Sequence, residues 1–204
     1  MGMTDPWRIL ARRYGRKSVM ALDIDDATLD AETERQAAII FPLIRAALRG
    51  DEKTAIDYGC GAGRFTRHLD KLVSGTTYGY DPCAELIDAR GEQPPSIQWI
   101  TGDPDRLFAW DHPPCDIVFT AMVLGEPNID IEATAADLVS RLAPYGLLVV
   151  LDHMPDTEPL GRWWRFRPKS FYFDLFARNG VTMREIGRVQ QLDNEVTILA
   201  RQRG

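Results

Sequence analysis

The stretch AIDYGCGAGRFT, positions 55–66, constrains the fold of this chain more than any other, because it sets glycines at 59, 61 and 63 between an apolar run and a helix-like one. Glycine reaches φ above zero at no steric cost and leaves the backbone bare to a neighbour or a ligand. Glycines at alternate positions after a strand therefore describe a turn over which a ligand can lie flat. A strand that turns tightly into a helix is the repeating unit of parallel sheets covered by helices on both faces.

Downstream the pattern repeats. KTAIDYG reads as the first strand with GRFTRHLDKLV as its helix, TTYGYD as the second with CAELIDAR, SIQWITGD as the third and CDIVFTAMVL as a buried fourth. IEATAADLVSRLAP then carries the chain as a helix to a fifth strand, GLLVVLDH. SFYFDLFARNG reads as a helix closed by Gly180, and VTMREIGRVQ and NEVTILARQ alternate across a turn at 192–194, which forces an antiparallel pair. The expected architecture is a single α/β domain with a mostly parallel seven-stranded sheet, helices on both faces and a C-terminal antiparallel hairpin. Upstream, ETERQAAIIFPLIRAALRG, residues 32–50, has helical spacing, with Pro42 as a kink and Gly50 as a C-cap. Residues 1–31, with a short helix around 7–14 and the acidic, less regular link LDIDDATLDAE, are expected to form a flap ahead of a main domain of residues 32–204.

Composition narrows the function classes. A net charge of −6 and a pI near 5.1 weigh against a nucleic-acid binder, since phosphate backbones are gripped mainly by lysine and arginine. No apolar run approaches the roughly 18 residues of a membrane span, and the start MGMTDPWRILARRYGRK lacks a leader's apolar segment, so the expected location is cytoplasmic, away from membranes. Cys60, Cys83 and Cys115 are odd in number and lack metal-ligand spacing, which speaks for reduced thiols and no metal.

Two cofactor classes use glycine-rich strand-to-helix turns. A dinucleotide site wants G-x-G-x-x-G, its third glycine allowing close helix packing, and Arg64 occupies that position here. The acid Asp57 stands two residues before Gly59, and a second acid, Asp81, closes the second strand 22 positions beyond it. Carboxylates around a bare turn suit a cationic ligand better than a pyrophosphate. The acidic residue followed by x-Gly-x-Gly-x-Gly, Asp57 to Gly63, is the first motif of class I, Rossmann-like S-adenosylmethionine-dependent methyltransferases, and the chain resembles that family over roughly residues 54–200.

The resemblance implies S-adenosylmethionine as cofactor and S-adenosylhomocysteine as product. It also implies roles. Asp57 would help hold the amino-acid end, Asp81 would accept from both ribose hydroxyls, and Asp103, after Gly102 at the end of the third strand, would meet the adenine amino group. Thr120 would line the methionine part, with Tyr58, Gly59, Cys60, Gly61, Gly63 and Pro82 packing close by. Each acid has a plainer use, since Asp81 before Pro82 can cap a helix and Asp103 before Pro104 can start a turn.

The sulfonium is already activated, so the protein's task is alignment, with a base required only when the acceptor is a hydroxyl. His153, after the fifth strand, is the first candidate base. Glu126 is the second; it departs from the histidine that many related enzymes carry in an L-x-H segment there. Arg165 and Arg167 in GRWWRFRPKS, with Tyr172 on the following helix, are candidate substrate contacts for an acidic, sugar or natural-product-like small molecule, and Tyr14 is a candidate flap aromatic. Loop packing of the tryptophans, with the arginines facing water, explains the same residues equally well. The reading is methyl transfer to a small molecule; the alternatives are a protein or peptide methyltransferase and a non-catalytic S-adenosylmethionine-binding module.

Overall fold

The structure, a computed structural model, describes residues 6–102, 111–155 and 164–202. An N-terminal helix, α1 (Pro6–Tyr14), runs through a 3-10 turn (Gly15–Val19) toward the long helix α2 (Asp26–Ala46). Strand and helix then alternate: β1 (Thr54–Tyr58), α3 (Thr66–Asp70), β2 (Thr76–Asp81), α4 (Ala84–Asp88), β3 (Ile97–Thr101), β4 (Cys115–Ala121), α5 (Ile131–Ser140), β5 (Leu142–Asp152) and α6 (Lys169–Arg178). The hairpin β6 (Met183–Gln191) and β7 (Asn194–Arg201) ends the chain. The sheet has seven strands in the order β3-β2-β1-β4-β5-β7-β6, parallel through β5 and antiparallel where β7 joins β5 and β6. This is the expected single Rossmann-like α/β domain.

The period of two along a strand separates two cores. In β5, Leu148 and Val150 face one side with Ile56, Tyr58, Tyr80 and Val118, beneath Leu138 of α5 and Tyr172 and Phe176 of α6. Leu147, Val149 and Leu151 face the other, with Ile117 and Phe119, beneath Ile40, Phe41 and Ile44 of α2 and Leu69 of α3. Each of these buried side chains contributes about 1.5–3 kcal/mol relative to exposure.

Three local expectations differ from the structure. The fifth strand begins at Leu142, ahead of the expected Gly146, because α5 already ends at Ser140. The acidic stretch read as an irregular link is helical from Asp26, because Asp25 caps α2 by accepting from the Thr28 amide at 2.7 Å. Thus α2 runs across position 31, with Pro42 inside it, and ends at Ala46 ahead of Gly50. The helix expected over GRFTRHLDKLV is only Thr66–Asp70, since the glycine turn occupies the residues before it.

Candidate functional site

Strand order reverses between β1 and β4, and ligands of open parallel sheets bind beyond the carboxyl ends of the strands at such a point. A cavity of about 290 Å³ lies there. Its floor is the glycine turn, with Asp57, Gly59, Cys60 and Gly61; Asp81, Pro82 and Leu86 form a second wall, and Met122, Val123 and Glu126 a third.

The turn is held by its neighbours. The amides of Gly59 and Cys60 both donate to the Tyr80 carbonyl, at 2.8 and 2.9 Å, tying the end of β1 to the end of β2. Gly59 has φ +74, and a Cβ there would lie 2.3 Å from Val123 Cγ2; at Gly61, φ +55, it would lie 2.7 Å from Val19 Cγ1. Both positions therefore require glycine to keep the cavity floor flat. Across the cavity Met122 takes φ +58, a conformation that costs a non-glycine residue about 1–3 kcal/mol. Its amide donates to the Leu151 carbonyl at 2.9 Å, which fixes the bend where β4 leaves the sheet.

The electrostatics are those of a buried acidic site. Asp57 is 3% exposed and accepts from the Thr66 hydroxyl at 2.6 Å. Burial pushes its carboxyl up to about 7; the Thr66 hydrogen bond pulls it back and nearby Asp81 adds to the rise. Asp81 accepts from the Gly61 amide through one oxygen and from the Cys83 amide through the other, both at 2.8 Å. It thereby joins the glycine turn to the start of α4. Burial, then Asp57 and Asp81, keep the Cys60 thiol far above its ordinary range, so it stays protonated. Arg64 also borders the cavity, its guanidinium 4.7 Å from the Phe65 ring centroid and donating to Thr33 Oγ1 at 3.2 Å and Gln36 Oε1 at 2.8 Å.

The N-terminal segment closes one side. Trp7 and Val19 line the cavity and pack with Ala11 of α1 against Cys83 and Leu86. Arg8 and Arg12 reach Glu85 at 2.6 and 2.8 Å, and Arg8 foremost holds the Glu85 carboxyl down to about 2. Tyr14, the expected flap aromatic, sits at the far end of α1 beneath Arg13 and is not among the lining residues; in this segment the lining residues are Trp7 and Val19, which the sequence reading did not single out.

The cavity and its walls have known counterparts. A family model described as "Methyltransferase domain" matches residues 31–180, well over half of the chain. The chain belongs to the methyltransferase-domain family. By family and fold together it is a class I, S-adenosylmethionine-dependent methyltransferase. Among solved structures it is similar to DhpI in complex with SAH (20% identity, covering 97% of this chain and 93% of that one, TM-score 0.68). It is also similar to magnesium protoporphyrin IX methyltransferase from Synechocystis PCC 6803 with bound SAM (16%, all of both chains, TM-score 0.68). Human N-acetylserotonin methyltransferase in complex with SAM is a further likeness (18%, all of this chain and 61% of that one, TM-score 0.63). No curated protein matches the sequence.

The remaining sequence-derived residues fall into three groups. Glu126 lines the cavity, and its carboxylate accepts from the Asn128 amide at 2.7 Å and side chain at 2.8 Å, which fixes it at the rim. Thr120, Tyr58 and Gly102 are not among the lining residues: Thr120 shares the sheet face of Val118 and is 1% exposed, Tyr58 packs against Tyr80 with ring centroids 5.2 Å apart and the rings tilted by 45°, and Gly102 abuts the Tyr80 ring. Gly63 borders a separate cavity of about 230 Å³ behind the turn, with Arg64 between the two. Asp103 lies outside the described residues.

Beyond β5 the site takes a different shape from the sequence reading. His153 is buried, its Nδ1 3.0 Å from the Glu195 carbonyl and its ring beside Phe166, and burial lowers its pKa. A carbonyl only accepts, so Nδ1 carries the proton and the neutral ring keeps its lone pair on Nε2. His153 is not among the lining residues of the cavity. Arg165 is exposed, and its amide donates to the Gly125 carbonyl at 2.7 Å. Arg167 donates to the Leu124 carbonyl at 2.9 Å and lies over Phe171. Tyr172 is a fully buried core residue beside Asp152.

Asp152 itself was missed, because nothing in LVVLDH distinguishes it from a strand end. It is fully buried, accepts from the His153 amide at 2.8 Å and the Trp164 indole at 3.0 Å, and burial pushes it up to about 7. Through Trp164, which presses on the backbone of Gly125, it pins the chain after β5 to the loop that carries Glu126. Among the described residues no helix is long and apolar enough to cross a membrane, and no cluster of side chains can hold a metal.

Proposed function

We propose that this methyltransferase uses S-adenosylmethionine to methylate a small-molecule acceptor in the cytoplasm, with residues 1–31 serving as a flap over the cofactor. One observation carries the reading: the cavity at the strand-order reversal combines a side-chain-free floor at Gly59 and Gly61 with the buried carboxylates Asp57 and Asp81. A flat floor and buried negative charge fit a ligand with a cationic end, an adenosine and no pyrophosphate. When bound, S-adenosylmethionine supplies a methyl group on a positively charged sulfur.

The chain's own residues then have these tasks. Asp57, held by Thr66, balances an ammonium, and Asp81, at the end of β2 on the cavity wall, accepts from ribose hydroxyls. Asp103 is kept as the contact to the adenine amino group, and Gly102 and Thr120 as supports of the pocket. Phe65, Leu86, Met122 and Trp7 exclude water, which strengthens every charge interaction inside. Glu126 is the general base of choice when the acceptor is a hydroxyl, because it stands on the cavity wall with its carboxylate oriented by Asn128. His153 is the second choice. Arg165, exposed beside the loop after β4, supports an acidic acceptor.

The structural likenesses named as methyltransferases of magnesium protoporphyrin IX and N-acetylserotonin support a small-molecule acceptor. The test is a screen with methyl-labelled cofactor against fractionated metabolites and cell protein. Label in a metabolite fraction supports the reading, label in protein selects peptide methylation, and label in neither selects a binding module.

A further inference from the structure

Arg64 is the charge at this site that the sequence motif does not explain. It follows Gly63 directly and borders the cavity, yet both of its recorded hydrogen bonds go to neutral oxygens, Thr33 Oγ1 and Gln36 Oε1. The orientation of Gln36 is fixed from behind: its Nε2 donates to Glu32 Oε1 at 2.8 Å, which turns Oε1 toward Arg64. Thr33 and Gln36 are themselves buried, at 3% and 1% exposure. The guanidinium is therefore clamped without being neutralised, and no carboxylate among the described residues lies within ion-pair distance of it.

Arg64 is half-buried, and an arginine so far withdrawn from water normally meets a carboxylate or phosphate, because an uncompensated charge there is costly. Of its five N–H donors, two are used by Thr33 and Gln36, which leaves capacity for an anion. Burial lowers the Arg64 pKa to about 10, while Glu32 behind Gln36 and then Asp57 favour its charged form; of those two carboxylates Asp57 is the one that borders the cavity. A clamped cation and a buried carboxyl bordering one cavity match the ends of an α-amino acid, whose ammonium and carboxylate stand on one carbon; the ammonium favours the ionised form of Asp57.

We propose that Arg64 receives the α-carboxylate of the methionine portion of S-adenosylmethionine while Asp57 takes the ammonium. The inference rests on the proposed cofactor and adds a residue to it: selectivity for the intact amino acid comes from Arg64. The competing role is a clamp that only fastens α2 to the glycine turn.

Three ligands separate these in calorimetric titrations: S-adenosylhomocysteine, its decarboxylated analogue, which keeps the ammonium, and 5′-methylthioadenosine, which lacks both groups. Wild-type protein is expected to favour S-adenosylhomocysteine over the decarboxylated analogue by about 10- to 100-fold, the range of one charge-assisted contact. Arg64→Gln is expected to erase that preference while holding affinity for the other two ligands within about twofold. Arg64→Lys, which keeps the charge but loses the fork, is expected to fall between. Equal losses for all three ligands identify the clamp and overturn the proposal, as does a wild-type protein indifferent to the carboxylate. Wild-type protein that binds none of the three defeats the cofactor reading and the inference with it.

Discussion

Asp57→Asn is expected to make the ligand-free protein more stable and the cofactor site weaker. The Asp57 carboxyl stands at about 7 in the folded protein against an ordinary 3.8, a gap worth about 4 kcal/mol at 1.36 kcal/mol per pH unit. The sign follows from the raised value. The folded state keeps the proton longer than the unfolded state, so the contribution of Asp57 to stability is fully present below pH 3.8 and is lost as pH rises through about 7. Asparagine never ionises, and its side-chain oxygen still accepts from Thr66. Relative to wild type, the variant should therefore gain little near pH 4 and up to about 4 kcal/mol at pH 8. Asp152, also pushed to about 7, is common to both proteins and cancels in the difference. Urea denaturation across this pH range measures the effect. Titration with S-adenosylhomocysteine at pH 8 should show weaker binding by the variant, because the ligand's ammonium has lost its counter-charge. A stability difference that is flat with pH, or a variant less stable at pH 8, refutes the reasoning.

Other substitutions probe the remaining walls. Gly59→Ala puts a Cβ against Val123 at φ +74, and should cost about 1–3 kcal/mol in denaturation and abolish S-adenosylhomocysteine binding. Once an acceptor with a hydroxyl is in hand, Glu126→Gln should lower kcat by about 100-fold or more with little change in cofactor affinity, while His153→Gln costs far less; the reverse order would make His153 the base. Glu85→Ala removes the partner of Arg8 and Arg12, and should speed both proteolysis within the first helix and dissociation of S-adenosylhomocysteine.

The strands were legible because apolar runs ending in acids or glycines have few other uses, and the hairpin because two alternating segments stood so close together. The cavity floor was legible for the same reason: Asp57, Gly59, Gly61 and Asp81 sit at strand ends, where the register leaves little freedom. One residue further the reading lost phase. Thr120 faces the helical layer with Val118, whereas Ala121 and Met122 reach the cavity, because Met122 adopts a left-handed bend that no glycine announces. Trp7 and Val19 were hidden for another reason. Their place depends on α1 docking to α4 through Cys83, Leu86 and Glu85, contacts more than sixty positions away in the chain. Asp152 was not singled out as a site residue because its importance lies in burial, and Arg64 because its importance lies in the clamp to Thr33 and Gln36 of α2, neither of which composition and spacing report.

The most direct measurement is a crystal structure of the protein grown with S-adenosylhomocysteine. The account predicts the ligand between the Gly59 turn and Met122, its ribose hydroxyls on Asp81 and its amino group on Asp57. Ligand lodged elsewhere, or an adenosine turned away from Asp81, contradicts it.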